Sequence, residues 1–357
     1  MSIPRPASDR RVMTDNNRYE AVVVGGGAAG LSAALVLGRA RRRTLVVDAG
    51  EPRNARSAHM QGYLSRDGMS PAEFLAAGRE EIARYGVELL RDRVVDATRG
   101  ADFTVVLVGG RTVRARQLVI ATGLRDELPP VPGLAERFGR DVVHCPYCHG
   151  WEMRDLPTGV LATSALSVHQ ALMVTQWSKD VRLFLHEVSE SELTGQDLRR
   201  LAAAGVGIVP GRVAGLVVTD DRLTGLRLAG GASAEGGTVH DREVLYVAPR
   251  ALPNNDLLVR LGAELRETPF GAYPVIDERG LTTVPGLWAA GNVSGFAEQV
   301  VDAAARGHRA AAAINGELVM ADLDESAPGG RGEPRDQPGV PAGRMAPGED
   351  PAHPAER

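Results

Sequence analysis

Cys145 and Cys148 are the only cysteines in the chain, and they stand two residues apart in the run His144-Cys145-Pro146-Tyr147-Cys148-His149. This Cys-x-x-Cys spacing suits a redox dithiol, in which a lowered pKa makes one sulfur a nucleophile. Two other readings use the same residues. A structural zinc ion needs four ligands, and without a third cysteine it is held only if His144 and His149 fold inward with both sulfurs. The thiols could also be inert and buried. The histidines fit the redox reading, because imidazole titrates near neutrality and can take a thiol proton or return one to a leaving thiolate. For both His149 and His144 the alternative is a solvent-facing or capping role.

A dithiol needs an electron partner, and the sequence offers one upstream. Ala21–Val24 is a short β-branched run that breaks into Gly25-Gly26-Gly27-Ala28-Ala29-Gly30. A helical stretch follows over Leu31–Arg39, then a buried strand over Thr44–Val47 ending at Asp48. Gly-x-Gly-x-x-Gly between a strand and a helix, with an acidic residue closing the next strand, is a dinucleotide fingerprint. Gly25 makes the tight turn, Gly27 lets the backbone approach a pyrophosphate, and Gly30 lets the helix pack on the strand. The helix N-terminus supplies N–H donors, and Asp48 can accept hydrogen bonds from a ribose. The competing reading is a glycine-rich packing turn.

The remaining pattern predicts an α/β fold with two Rossmann-like domains, the second inserted in the first. Phe103–Val108, a Gly109-Gly110 turn and Thr112–Ala115 read as a hairpin, with Leu118–Ala121 as a further buried strand. A second βαβ unit is expected over Gly159–Ala162, Ala165–Trp177 and Val181–Leu185, followed by strand-rich sequence from Val206 to Val247. Tyr273–Ile276 and Leu287–Ala290 resume strand character, and Glu298–Ile314 is an Ala-rich helix. The expected boundaries are 18–125 and 250–320 for the first domain and 126–249 for the insertion.

Composition limits the function classes. The chain has 357 residues, 43% hydrophobic and 24% charged, which excludes disorder along its whole length. A net charge of −4 argues against nucleic acid or an anionic membrane as partner. No apolar stretch is long enough to span a membrane, and residues 1–20 lack the apolar centre of a secretory signal. A cytoplasmic location is expected, in keeping with two cysteines that build no disulfide scaffold. Residues 1–17 read as a disordered leader. A flexible tail is expected from 321 onward, since Ser326–Arg357 holds seven Pro and six Gly in 32 residues.

Four motifs together resemble the low-molecular-weight thioredoxin reductase-like flavoproteins: Gly25–Gly30, Ala121-Thr122-Gly123, the Cys145–Cys148 pair, and Gly286-Leu287-Trp288-Ala289-Ala290-Gly291-Asn292. The resemblance implies FAD, held by Gly25, Gly27, Ala28, Ala29, Gly30, Asp48, Ala121, Thr122 and Gly123. It makes Gly291, Asn292 and Gln299 flavin contacts. It also implies that Cys145 exchanges with substrate, that Cys148 lies against the flavin, and that the protein is a homodimer. Two residues depart from the family pattern. Asn292 stands where Asp is usual, although its carbonyl can still accept a ribityl hydrogen bond. His149 stands where the family places an acidic proton-transfer group.

A third departure concerns the second nucleotide site. In Gly159-Val160-Leu161-Ala162-Thr163-Ser164-Ala165-Leu166-Ser167, the fingerprint positions hold Ala162, Ser164 and Ser167. A Cβ at the first strains a turn that needs positive φ, and one at the second obstructs a pyrophosphate. Downstream, His186-Glu187-Val188-Ser189-Glu190-Ser191-Glu192 carries three carboxylates and no Arg, where the family binds a 2′-phosphate with Arg. Glu187 alone would suit NADH, but the missing glycines count against it. The expectation is loss of reduction by NAD(P)H. The run Cys145–Glu152 is similar to the dithiol oxidase branch of the family, which closes disulfides in small natural products of the gliotoxin, holomycin and romidepsin type. That branch implies a small dithiol substrate, electron transfer through the Cys145–Cys148 disulfide to FAD, and O2 as acceptor giving H2O2, with no metal. The competing functions are an NAD(P)H-dependent thioredoxin or small-disulfide reductase, and a non-catalytic flavin redox sensor.

Overall fold

Val22 and Val23 are completely buried and Val24 nearly so, and such an unbroken apolar run belongs to a strand covered on both faces. In the computed structural model, which describes residues 17–230 and 237–327, this run is the centre of a parallel sheet. Its strands are β1 (Arg18–Val24), β2 (Thr44–Asp48), β3 (Glu88–Arg91), β4 (Val94–Arg99), β5 (Phe103–Leu107) and β6 (Thr112–Ile120). They lie in the order β3-β2-β1-β6-β5-β4, with Leu287–Ala289 also paired to β6. β3, β2, β1 and β6 run parallel, and β5 and β4 add as an antiparallel extension.

β6 corrects the sequence reading. The hairpin strand at Thr112–Ala115 and the strand at Leu118–Ala121 are one strand, Thr112–Ile120. The polar pair Arg116-Gln117 interrupts the apolar pattern, but β1 pairs with β6 from Arg114 through Ile120 and keeps it extended. The other edge of β6 is shared: Thr112–Ala115 pair with β5, and Leu118–Ile120 pair with Leu287–Ala289.

Helix α1 (Ala28–Arg39) follows β1, and α2 (Pro71–Ala83) follows β2. α2 starts at Ser70, whose side chain accepts from the Glu73 N–H while the Glu73 carboxylate accepts from the Ser70 N–H, a capping box with Pro at the first turn.

The chain leaves the first sheet through β7 (Leu124–Glu127) and returns through Arg250–Pro253, which pairs antiparallel to it. Between them lies a second, five-stranded parallel sheet containing β8 (Val142–Val143), β9 (Thr158–Leu161), β10 (Val181–Phe184) and β11 (Gly207–Val209). Its order is β11-β10-β9, then Val244–Val247, then β8. Two short helices precede its first crossover, α3 (Leu134–Arg137) and α4 (Pro146–His149), and α5 (Ser167–Val174) links β9 to β10. α5 is shorter than the expected Ala165–Trp177. Val213–Thr219, Arg222–Leu228 and Val239–Asp241 form a separate three-stranded antiparallel sheet.

The last helix runs Val300–Ser326 rather than Glu298–Ile314, so residues 321–326, expected in the flexible tail, are helical. Met320, Ala321, Leu323 and Glu325 all favour helix, which outweighs the lack of surface to bury. Most of the expected leader and tail lies outside the described residues. The chain divides into two units, Met1–Leu318 and Val319–Arg357, and the sites below all lie in the first. Among the described residues no helix is long and apolar enough to cross a membrane.

Candidate active site

At the end of β1 the chain turns through Gly25 at φ +108, and a Cβ there would overlap the carbonyl oxygen of Ala121. A Cβ on Gly30 would overlap the carbonyl oxygen of Gly25, so α1 sits against the loop as closely as backbone allows. Gly27 differs, since a Cβ there would meet nothing within 4 Å. It is the N-cap of α1, with no side chain capping the helix N–H groups. Open space in front of uncapped donors is what a pyrophosphate requires. Ala28 and Ala29 form the first turn behind it, and a Cβ on Gly291 would come 2.8 Å from the Ala29 Cβ. Asp48 is buried, with Oδ1 accepting from the Gly26 and Gly50 N–H groups at 3.2 and 3.1 Å and Oδ2 accepting from Arg91 at 2.9 Å. A ribose would share that carboxylate with Arg91.

Ala121, Thr122 and Gly123 lie where the chain leaves the first sheet. Here the Thr122 hydroxyl donates to the Asn254 carbonyl at 2.7 Å and the Asn254 amide returns to the Thr122 carbonyl at 2.9 Å. The Thr122 hydroxyl proton is therefore committed to the fold. At the same end of the sheet, just after Leu287–Ala289, the Asn292 amide nitrogen donates to the carbonyls of Gly295, Phe296 and Glu298 at 3.2, 3.4 and 3.1 Å. That leaves the amide oxygen as the end able to accept from a ligand. Gln299 begins the approach to the long helix, and its Oε1 lies 3.4 Å from where a Cβ on Gly62 would stand.

The cysteines flank a single helical turn: Cys145 is the N-cap of α4 and Cys148 lies within it. The Cys148 N–H donates to the Cys145 carbonyl at 3.1 Å. Both thiols are free and half-buried. The Cys148 thiol hydrogen-bonds the Cys145 sulfur, and that bond, with the N–H groups of Cys148 and Tyr147 and the charge of Arg53, brings the Cys145 pKa down to about 7 against the opposing effect of burial. The same hydrogen bond and burial push Cys148 up. Symmetry between the sulfurs is thus broken by the backbone of α4, which aims donors at Cys145.

His144 and His149 flank this turn, and burial lowers the pKa of each below the usual histidine range. The His149 Nδ1 is buried with no hydrogen-bond partner. A backbone hydrogen bond to Cys145 and the charge of Glu152 oppose that lowering at His149. Among the described residues no group of three or more His, Cys, Asp or Glu side chains is arranged to hold a metal ion.

Several residues that position the dithiol carry no motif. The Gln170 amide donates to the His144 carbonyl at 2.7 Å. Trp177 packs edge-on to Tyr147, ring centres 5.8 Å apart, and a Cβ on Gly150 would come 2.6 Å from the Trp177 ring. The buried hydroxyl of Tyr246 feels the charge of both sulfurs. Gly150, as a glycine inside a Cys-x-x-Cys-His-Gly run, is the one sequence signal that could have pointed to this packing.

In the second loop, the N–H groups of Thr163 and Leu166 are occupied by the hydroxyls of Ser167 and Ser164, at 3.0 and 3.3 Å. The exposed Leu166 side chain stands at the start of α5. Of the three downstream carboxylates, Glu192 caps the Ser189 N–H at 2.8 Å. Glu187 faces an arginine that the linear segment lacks, Arg212, at 3.6 Å.

Residues 19–308 match the model of the family described as pyridine nucleotide-disulphide oxidoreductase. The curated protein named thioredoxin reductase sirT, from Leptosphaeria maculans, is 31% identical over 319 residues, covering 85% of this chain and 96% of its own. The crystal structure of HlmI superposes with a TM-score of 0.82 at 48% identity, covering 88% of this chain and 96% of that one. An oxidoreductase from Agrobacterium tumefaciens follows with a TM-score of 0.78 at 35% identity, over 85% and 99% of the two chains. The chain therefore belongs to the pyridine nucleotide-disulphide oxidoreductase family, as a thioredoxin reductase-like flavoprotein oxidoreductase.

Proposed function

We propose that the protein is an FAD-dependent dithiol oxidase that closes a disulfide in a small-molecule substrate, with O2 as acceptor and H2O2 as product. One observation carries this reading: the second nucleotide loop fills its own phosphate-binding donors with the hydroxyls of Ser164 and Ser167, while the dithiol and the first loop keep what their chemistry needs. FAD fits the first loop, where Gly27 opens onto free space at an uncapped helix N-terminus. Gly25, Gly27, Ala28, Ala29 and Gly30 would hold the pyrophosphate, Asp48 the ribose, Ala121–Gly123 the loop behind it, and Gly291, Asn292 and Gln299 the flavin end. When bound, FAD supplies a two-electron acceptor that O2 reoxidises to give H2O2. The FAD-binding domain is assigned to 18–125 with 250–320 and the insertion to 126–249, an assignment supported by the pairing of β7 with Arg250–Pro253. A homodimer belongs to this reading through family resemblance.

Substrate oxidation is then a pair of exchanges on the oxidised Cys145–Cys148 disulfide. A substrate thiolate attacks the Cys145 sulfur, and Cys148 leaves as the thiolate. The second substrate thiol attacks the substrate sulfur bonded to Cys145, forming the product disulfide and releasing Cys145, which the N–H groups of Cys148 and Tyr147 face. His149, neutral because burial disfavours its charged form, takes the substrate proton.

The competing reading is an NAD(P)H-dependent reductase, favoured by the name that sirT carries and by Arg212, which directly precedes Val213–Thr219 and stands 3.6 Å from Glu187. Anaerobic mixing separates the two. Dithiothreitol should bleach the flavin absorbance, whereas NADPH and NADH should leave it unchanged. Rapid, stoichiometric bleaching by either nicotinamide cofactor would overturn the oxidase reading.

A further inference from the structure

The loop after β2 reaches the dithiol-bearing segment at three separate points. The Arg53 guanidinium donates from Nε and Nη2 to the two carboxylate oxygens of Asp126, at 2.8 and 2.7 Å. Asp126 lies on β7, upstream of the cysteines, and the paired side chains are 28% and 12% exposed. The Arg56 guanidinium donates to the Ala135 carbonyl on α3 at 2.8 Å. Its own Cβ stands so close to Gly139 that a Cβ there would approach to 3.0 Å, at a residue held at φ +89. Downstream of the cysteines, the Gln61 amide nitrogen donates to Glu152 at 3.0 Å while its oxygen accepts from the Gly68 N–H at 2.9 Å.

We infer that residues 53–61 form a clasp, with Arg53 as its positioning residue, that holds segment 126–152 and so fixes the Cys145–Cys148 pair relative to the first sheet. The inference rests on the reading of that pair as flavin-facing. Magnitude argues for positioning over bulk stability. Isolated hydrogen bonds and ion pairs at partly exposed sites contribute little net stability, yet a bidentate arginine fork fixes distance and angle together. Three contacts, one of them such a fork, come from one short loop, two falling ahead of the cysteines at Asp126 and Ala135 and one after them at Glu152. None touches a sulfur directly, so the clasp acts through the backbone. The Arg53 charge, felt by both sulfurs and by His144, adds an electrostatic component to the same placement.

The test compares Arg53→Met, Arg53→Lys and Asp126→Asn in the FAD-loaded protein, alone and with Cys145→Ser. With Cys145 removed, a Cys148 thiolate beside the oxidised flavin gives a long-wavelength charge-transfer band that reports sulfur–flavin placement. Arg53→Met and Asp126→Asn should each remove most of that band at unchanged FAD content, and the double variant should lose no more than either single one. Amide hydrogen exchange over residues 142–150 should quicken about tenfold in both, the factor expected for losing a charge-assisted hydrogen bond. Arg53→Lys, which keeps the charge but not the fork, should fall between wild type and Arg53→Met. Unchanged exchange in Arg53→Met would overturn the clasp, as would faster exchange there but not in Asp126→Asn. If Cys145→Ser shows no band even at alkaline pH with Arg53 intact, the flavin-facing assignment fails instead, and hydrogen exchange still decides the clasp.

Discussion

Cys145 and Cys148 are unequal acids, because Cys145 accepts a hydrogen bond from the Cys148 thiol and is also faced by the Cys148 and Tyr147 N–H groups. A Cys-x-x-Cys spacing is visible in the sequence, but which sulfur is the thiolate depends on where the Tyr147 and Cys148 N–H groups point once α4 has formed. In the reduced protein, alkylation of Cys145 should rise with pH through a midpoint of about 7. Since the hydrogen bond from the Cys148 thiol is the largest lowering influence, Cys148→Ala should move that midpoint upward, and iodoacetamide rate profiles measured from mildly acidic to alkaline pH check both. His149 is the second residue whose role the sequence only suggested, and its unpartnered Nδ1 supports proton transfer over capping. His149→Ala should slow flavin reduction by a dithiol about 10²- to 10⁴-fold at neutral pH, the usual range for a positioned acid-base group. The deficit should shrink as pH approaches the substrate thiol pKa near about 8.5, because a thiolate needs no base. A variant equal to wild type in stopped-flow at pH 7 would return His149 to a structural role.

The same strand–loop–helix device occurs twice, with opposite outcomes. After β1 the glycines leave donors open to a ligand, and after β9 the serines close them from within. The first outcome follows from the absence of a Cβ and the second from serine hydroxyls that accept from the loop's own N–H groups, and both residue patterns, Gly25, Gly27 and Gly30 against Ala162, Ser164 and Ser167, are visible in the sequence. Gly30→Ala should be severe, because its Cβ would overlap the Gly25 carbonyl and neither backbone can yield. We expect a loss of about 1–3 kcal/mol or more from such overpacking, with FAD content falling alongside, measured by thermal melting and flavin absorbance after desalting. Full FAD retention with wild-type melting would mean that α1 can shift. Other elements were less legible. α2 announces itself in Ser70-Pro71-Ala72-Glu73 but has weak apolar periodicity, and only Pro71, Leu75 and Ile82 are buried. The clasp left no signal at all, since Arg53, Arg56 and Gln61 lie in a loop without periodicity and find partners far along the chain.

Across the whole molecule, two parallel sheets were predictable because buried strands with helical crossovers leave little alternative, as the unbroken burial of β2, β9 and Val244–Val247 illustrates. The crossing between them was legible only as a change of pattern. Its bonds, Thr122 to Asn254 and β7 to Arg250–Pro253, join residues more than 100 positions apart that no local signal connects. Those two sheets also set the electron balance that distinguishes the remaining functions. A dithiol carries two electrons into the protein, and each substrate disulfide formed must send two out. If the second sheet's loop accepts no pyridine nucleotide, turnover has to stop when the flavin is reduced unless O2 takes them. The full-length protein with a simple dithiol in air should therefore release one H2O2 per disulfide formed and continue over many turnovers. Under argon it should stop after one reduction of the flavin and resume when O2 is admitted. A redox sensor would bleach once and yield at most one equivalent of peroxide in air. A reductase would need NADPH to be consumed in step with the disulfide it reduces. Peroxide and disulfide measured in the same sample discriminate among the three, and peroxide well below the disulfide formed would mean that the electrons leave by an acceptor other than O2.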